Sequence, residues 1–207
     1  MRKLIRIVAA VAMAASGATS AASDAGDGQT NPGSAKEPQT ASVADGQVPV
    51  SPAARQALAR IQAVLDGLRS TNDLTPGLLE QAMGIKLLQG SEPGESIYQS
   101  PDLGAGWTYT VAHWAASRAR KPGLRFWFFN ENRSASPATV CGATFDAVRE
   151  GLMSHGYEEQ ETLSEIGGVE FLTYVKSDIR LTLTRHDVVT ISDGKVCVVS
   201  FQTANGM

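Results

Sequence analysis

Two cysteines, Cys141 and Cys197, can join segments of the chain that lie more than 50 residues apart. In an oxidising compartment, an even cysteine count in an exported chain predicts a disulfide. Such a bridge would stabilise the fold by about 4 kcal/mol in the chain-entropy model. The alternative is a catalytic thiol activated by a histidine base. The disulfide therefore depends on where the protein is located.

The N-terminal segment has the layout of a secretory signal peptide. Its basic residues are Arg2, Lys3 and Arg6. An apolar run from 7 to 15 and a stretch of small residues from 16 to 22 follow. A membrane-spanning helix needs about 20 apolar residues, so this run is too short to be a permanent anchor. We expect residues 1–22 to be a cleaved signal peptide, and the alternative is an uncleaved amphipathic or core helix.

The abundance of Ala, Gly and Ser suggests a bacterial protein, so the expected location is the periplasm. No other segment approaches a membrane span, and we expect no stable span after cleavage. Removal of residues 1–22 would leave 15 basic and 21 acidic side chains. A mildly acidic chain without a Lys/Arg cluster is a poor nucleic-acid binder. It would more readily meet a basic protein.

Residues 23–50 are rich in Gly and Pro and contain no aromatic residue, which predicts a disordered linker. Residues 51–207 are then expected to form a single domain. It begins with an amphipathic helix over 51–70, where Pro follows a serine cap. The apolar stripe of this helix comprises Leu58, Ile61, Leu65 and Leu68. The helix would either dock on the domain or serve as an arm for a partner or a homodimer.

The remaining pattern places helices and strands in two similar halves. Helices are predicted over 75–84 and 136–155, the second with Cys141 on its buried face. Strands are predicted over 85–88, 107–114, 124–129, 169–176, 179–186 and 195–202, with a further strand possible over 157–163. A long polar loop is predicted over 89–106. Each half runs from a helix into strands, which favours an α+β fold with helices packed on antiparallel sheets and allows an arrangement as two helix-plus-meander units.

The histidines lie more than 30 residues apart, which disfavours a metal site built on neighbouring ligands. The nucleophile motif Gly-x-Ser-x-Gly and the glycine-rich phosphate loops are absent. We therefore expect no enzyme activity, no catalytic residues, no cofactor and no metal ion. Long loops on a disulfide-linked scaffold more often carry binding residues.

The candidate partner-binding residues fall in three segments. The loops 89–106 and 130–136 contribute Tyr98, Asp102, Asn130, Glu131 and Arg133, and Trp107 borders the first of these loops. Glu158, Glu159 and Glu161 form an acidic cluster, which suits a solvated face, docking to a basic protein, or a glycosidase carboxylate pair. Trp107 is the best candidate for an exposed aromatic contact, whereas Trp127 is expected in the core.

The combination of a signal peptide, a polar linker, a small α+β domain and one disulfide resembles periplasmic immunity proteins. These proteins neutralise antibacterial toxins delivered between cells by secretion systems. The resemblance implies a steric mechanism, in which a loop or sheet face plugs the active-site cleft of a toxin. Two other functions stay open: a periplasmic hydrolase acting on cell-wall material, and an envelope adaptor that docks through the helix at 51–69.

Overall fold

A computed structural model describes residues 49–163 and 169–203. These residues lie in a single compact unit. The expected signal peptide, and all but the last two residues of the expected linker, lie outside the described residues. The helices are α1 (Pro52–Gly67), α2 (Pro76–Met83) and α3 (Phe145–Ser154), with 3-10 turns at Thr71–Asp73 and Pro137–Val140.

Four strands follow α2 and six follow α3. They are β1 (Leu88–Gln89), β2 (Glu95–Gln99), β3 (Thr108–Trp114), β4 (Gly123–Phe129), β5 (Glu158–Leu163), β6 (Val169–Lys176), β7 (Ile179–Thr184), β8 (Val188–Thr190), β9 (Val196–Val198) and β10 (Ser200–Thr203). Eight of them form one antiparallel sheet in the order β1-β2-β3-β4-β10-β7-β6-β5. The pair β8-β9 forms a small second sheet. The predicted α+β class is confirmed.

The large sheet consists of two meanders joined edge to edge. In the first, α2 leads into β1 to β4, and each strand pairs with the next. In the second, α3 leads into β5, β6 and β7, and the chain returns as β10 after the β8-β9 hairpin. The two meanders meet where β10 pairs with β4. The expected helix-plus-meander units are therefore present, although the second is interrupted by a hairpin.

All three helices pack on one face of this sheet. Ile61 and Leu65 of α1, Leu79 of α2 and Leu152 of α3 are fully buried. They share one core with alternate residues of the central strands, such as Phe126 and Leu181. This alternation is typical of an antiparallel sheet that has one packed face. The predicted helix at 51–70 is thus docked on the domain rather than extended from it.

The predicted helix over 136–155 is wrong in its first half. The chain instead forms a 3-10 turn, passes through an irregular segment from Cys141 to Thr144, and then begins α3. A Cβ atom at Gly142 would lie 2.8 Å from Leu58 Cδ1, so this segment runs directly against α1. Thr144 starts the new helix by accepting a hydrogen bond from the Ala147 N–H. Cys141 therefore lies outside any helical stripe.

One loop prediction and two strand predictions also need correction. The polar segment 89–106 contains β2, whose adjacent apolar residues Ile97 and Tyr98 hide the alternation typical of a strand. The strand predicted over 195–202 is divided at Val199, whose N–H donates to the Asp187 carbonyl instead of continuing a ladder. The strand predicted over 85–88 is reduced to Leu88–Gln89, at the sheet edge.

Cys141 and Cys197 are joined, with their Cα atoms 5.3 Å apart. Cys197 lies in β9 and is fully buried, and it also forms a β-bridge with Thr144. The bridge fastens the β8-β9 hairpin to the segment that precedes α3. The predicted disulfide pair is confirmed.

Candidate functional site

Among the described residues, no helix covers the second face of the large sheet. We call it the open face, and it consists of the strand residues that alternate with the core residues. One row crosses all eight strands, and its members are Leu88, Ile97, Ala112, Arg125, Gln202, Thr182, Thr173 and Gln160. Such a face can be solvated or can receive a partner.

Two arginine–tryptophan pairs lie on or beside the open face. The Arg125 guanidinium carbon is 5.0 Å from the centre of the Trp127 ring, two residues along β4. The Arg120 guanidinium carbon lies 5.6 Å from the Trp114 ring. A Cβ atom at Gly123 would collide with the Trp114 indole, so this glycine allows the ring to lie across β4. Both contacts are cation–π interactions.

The centre of the open face is basic. Arg125 is exposed, and its neighbours across the sheet are the uncharged residues Ala112 and Gln202. The acidic side chains on this face are at its borders, with Glu95 on β2 and Glu158 on the edge strand β5. The charged strand residues of the open face are Arg125 and Arg180 together with Glu95 and Glu158, so this face is balanced in charge, whereas the chain as a whole carries more acidic than basic side chains.

Trp127 does not lie in the core, contrary to the expectation from sequence. It is half-buried on the open face, because its partner across the strands is Thr110 whereas the core residues are Phe126 and Phe128. Beside it, Phe129 is 45% exposed. The signal for this arrangement is the i, i+2 spacing of Arg125 and Trp127, which places both side chains on the same face of a strand.

The two predicted binding loops converge at one end of β3 and β4, and part of their polar surface is used internally. The Trp107 Nε1–H donates to the Ser136 carbonyl at 3.1 Å. The Asn130 Nδ2–H donates to the Ala105 carbonyl at 2.8 Å. Trp107 is half-buried and packs against the core, so it is less available than its sequence context indicates.

The other loop candidates lie near this junction. Tyr98 and Asp102 line a small cleft against α1. Glu131 and Arg133 are exposed in the connection that follows β4. Six of the nine predicted residues thus lie at one end of the sheet, either in the cleft against α1 or where the two loops meet.

The acidic cluster lies on β5, at the opposite edge of the sheet from β1 and β2. Glu159 accepts two hydrogen bonds from Arg149, at 2.7 and 2.8 Å, and a third from the Tyr174 hydroxyl at 2.8 Å. The Arg149 hydrogen bonds are the main cause that lowers the pKa of Glu159. Glu159 is therefore engaged within the fold, while Glu158 and Glu161 are exposed on opposite faces of the strand.

Two of the three histidines, His113 and His155, lie within hydrogen-bonding distance of groups in the fold. His113 is buried, and its Nε2 lies 3.1 Å from the Leu74 carbonyl; burial lowers its pKa. His155 Nδ1 lies 3.2 Å from Ser154 Oγ and 3.5 Å from Asp66 Oδ1. A Ser-His-acid triad uses both ring nitrogens, one for the serine and one for the acid. Since one nitrogen faces both groups here, this cluster does not have triad geometry.

Within residues 49–163 and 169–203, no three His, Cys, Asp or Glu side chains gather as a metal ion would require. In the same ranges, no helix has the length and apolar character needed to cross a membrane. No protein-family model, curated protein or solved structure matches the chain.

Proposed function

We propose that the protein is exported to the periplasm, where it binds a protein partner and blocks its activity by covering it. The type of partner that the sequence favours is an antibacterial toxin, which would make the protein an immunity protein. The open face is the surface that we assign to this contact. This assignment places the contact on the sheet, whereas the sequence pointed mainly to the loops.

The observation that carries the proposal is the aromatic and arginine content of the open face. Trp and Arg are enriched among residues that dominate the binding energy of protein interfaces. Arg125 and Trp127 are already stacked on each other, so they would lose little side-chain freedom on binding. Eight strands at their usual spacing make the sheet about 34 Å wide, which suits a partner contact of about 800 Å².

The charges of the open face favour an acidic partner surface. Arg125 lies at its centre, and the carboxylates stay at the borders. The basic partner expected from sequence was argued from the acidic net charge of the chain and from the acidic cluster, of which Glu159 is bound to Arg149. Complementary charge would orient the encounter and speed association. We therefore propose an acidic surface on the partner, such as the rim of an active-site cleft.

The experiment is affinity capture from an envelope extract, with the tagged protein produced from its full sequence in its own species. Trp127→Ala should weaken binding of the captured protein by at least about 30-fold, and Arg125→Glu by a similar factor. Arg55→Glu is the matched control, because Arg55 is exposed on α1, on the helical side. Purified partner should lose its activity at one equivalent of the wild-type protein.

Three results would overturn the proposal. The first is a captured protein whose binding is unchanged in both open-face variants. The second is a captured enzyme that stays fully active when the protein is saturating. The third is recovery of the protein, with residues 1–22 intact, in the cytoplasmic fraction alone.

A further inference from the structure

A cleft of about 190 Å³ lies between α1 and the chain that follows β2. Its walls include Arg60 and Gln56 of α1, Tyr98, Tyr109 and Asp102. Tyr98 and Tyr109 point to the helical side of the sheet, because Tyr98 pairs with the core residue Val111. The cleft is therefore separate from the open face, and what it binds is independent of the function proposed above.

Arg60, which lines the cleft and is half-buried, forms no ion pair with a carboxylate of the described residues. Arg60 Nη1 donates to the Met83 carbonyl, and no carboxylate of the described residues lies within 4.0 Å of the Arg60 nitrogens. Asp102 lines the same cleft, but its Oδ1 accepts from the Gly104 N–H at 2.7 Å. A partly buried cation without a counter-charge favours binding of an anion.

Two tyrosines supply the aromatic wall. The ring centres of Tyr98 and Tyr109 are 5.7 Å apart, and Tyr109 is only 8% exposed. Burial is the main cause that raises the pKa of Tyr109 to about 12, while the charge of Arg60 opposes this rise. A hydrogen bond with the Tyr98 hydroxyl adds to this rise, so Tyr109 is a neutral phenol at physiological pH, and the hydroxyl that can donate to an oxyanion is that of Tyr98.

The volume limits the ligand to a small molecule. An apolar cavity of about 150 Å³ is known to hold benzene, so 190 Å³ fits one ring with a short polar group. Arginine binds carboxylates in a planar, two-point geometry. We propose that this cleft binds a small carboxylic acid with a planar apolar body. Arg60 binds the carboxylate, and the body contacts the two tyrosine rings.

The test is an NMR titration of the full-length, isotope-labelled protein with benzoate, and with benzamide as its neutral isostere. Benzoate should shift the resonances of Tyr98, Tyr109 and the Arg60 side chain saturably, and benzamide should not. Arg60→Gln should lower benzoate affinity by about tenfold or more, and Arg60→Lys should recover part of it. Arg55→Gln, on the same helix, should leave the affinity unchanged.

Two further variants distinguish weaker binding from a loss of folding, and a carboxylate ligand from a different ligand class. Tyr98→Phe keeps the ring and removes the hydroxyl, so it should weaken benzoate binding while the fold is retained. Asp102→Asn removes a negative charge from the cleft and should tighten binding. Weaker binding in Asp102→Asn would instead indicate a ligand with an ammonium group and would overturn the assignment.

Equal affinity for benzoate and benzamide, or no saturable shift with benzoate, would also overturn the assignment of a carboxylate site. Trp127→Ala should leave benzoate binding unchanged, so failure of this site can be told apart from failure of the open face.

Discussion

Asp178, in the turn between β6 and β7, links the sheet to the segment between α1 and α2. Its carboxylate accepts from the Thr71 hydroxyl at 2.7 Å, from the Thr71 N–H at 3.0 Å and from Lys121 Nζ at 3.2 Å. The Thr71 hydroxyl is the main cause that lowers the pKa of Asp178 to about 2. Because this folded-state pKa is depressed, the stabilisation is present above the unfolded value of 3.8 and is lost as pH falls towards 2.

We predict that Asp178→Asn lowers the free energy of unfolding at neutral pH by about 1 kcal/mol, since a charged hydrogen-bond acceptor is lost. At about pH 2 the wild-type carboxyl is about half protonated, so the difference should shrink. Urea unfolding at both pH values measures this. Glu150→Gln, an exposed carboxylate change on α3, is the control and should have little effect at either pH. An equal loss at both pH values would show that the charge of Asp178 is not the cause.

At the scale of elements, the close contact between α1 and the chain before α3 depends on a glycine. A Cβ atom at Gly142 would lie 2.8 Å from Leu58 Cδ1 and 3.0 Å from the Arg55 Cα, which is backbone and cannot rotate away. We predict that Gly142→Ala lowers the free energy of unfolding by about 1–3 kcal/mol.

Gly67→Ala is the matched substitution at an open position, because nothing lies within 4 Å of its added Cβ. Gly67 is the last residue of α1, so alanine there should be neutral or should stabilise by about 0.5 kcal/mol. Thermal unfolding of both variants is the measurement. If Gly142→Ala were as stable as Gly67→Ala, the segment from Cys141 to Thr144 could move away from α1 without lowering the free energy of unfolding.

Capping residues in the sequence correctly predicted where α2 begins and ends. Thr75 accepts from the Leu78 N–H and Gly84 adopts φ +66°, so α2 begins and ends where its cap residues indicate. The break at Gly142 could not be predicted, because it arises from contact with α1, more than 70 residues earlier in the sequence. The end of β9 depends likewise on a hydrogen bond from Val199 to Asp187.

For the whole molecule, the disulfide closes a long loop through the second meander. The bridge spans 56 residues and ties β9 to the segment before α3. We predict that replacing both cysteines by alanine lowers the free energy of unfolding by about 2–5 kcal/mol and lowers the melting temperature. Partner binding at low temperature should persist, because Arg125 and Trp127 lie in the first meander. Thermal unfolding of the variant against the oxidised wild type tests this, and two free thiols in the exported protein would contradict it.

The candidate site was only partly accessible from sequence, because it depends on which strands become neighbours. Tyr98, Asp102 and the residues of the 130–136 loop were selected as loop residues, and Trp107 as the residue that borders the first loop. They do lie at one end of the sheet. The open face requires β10 to insert beside β4, which brings Gln202 next to Arg125. Nothing local in either strand specifies that pairing, so the basic centre of the face appears only in the folded molecule.

The burial of α1 decides whether this helix can act as a separate arm for a partner. Leu58, Ile61 and Leu65 are at most 2% exposed, and the Tyr157 hydroxyl donates to the Leu65 carbonyl at 2.8 Å. We predict that deletion of residues 49–67 abolishes cooperative unfolding, because it removes one wall of the core shared by both meanders. Ala63→Glu, on the exposed side of α1, should leave the transition intact. Near-UV circular dichroism and thermal unfolding measure both. A truncated chain that still unfolds cooperatively would make α1 a separable arm, as an envelope adaptor requires, and the core would then have to close without it.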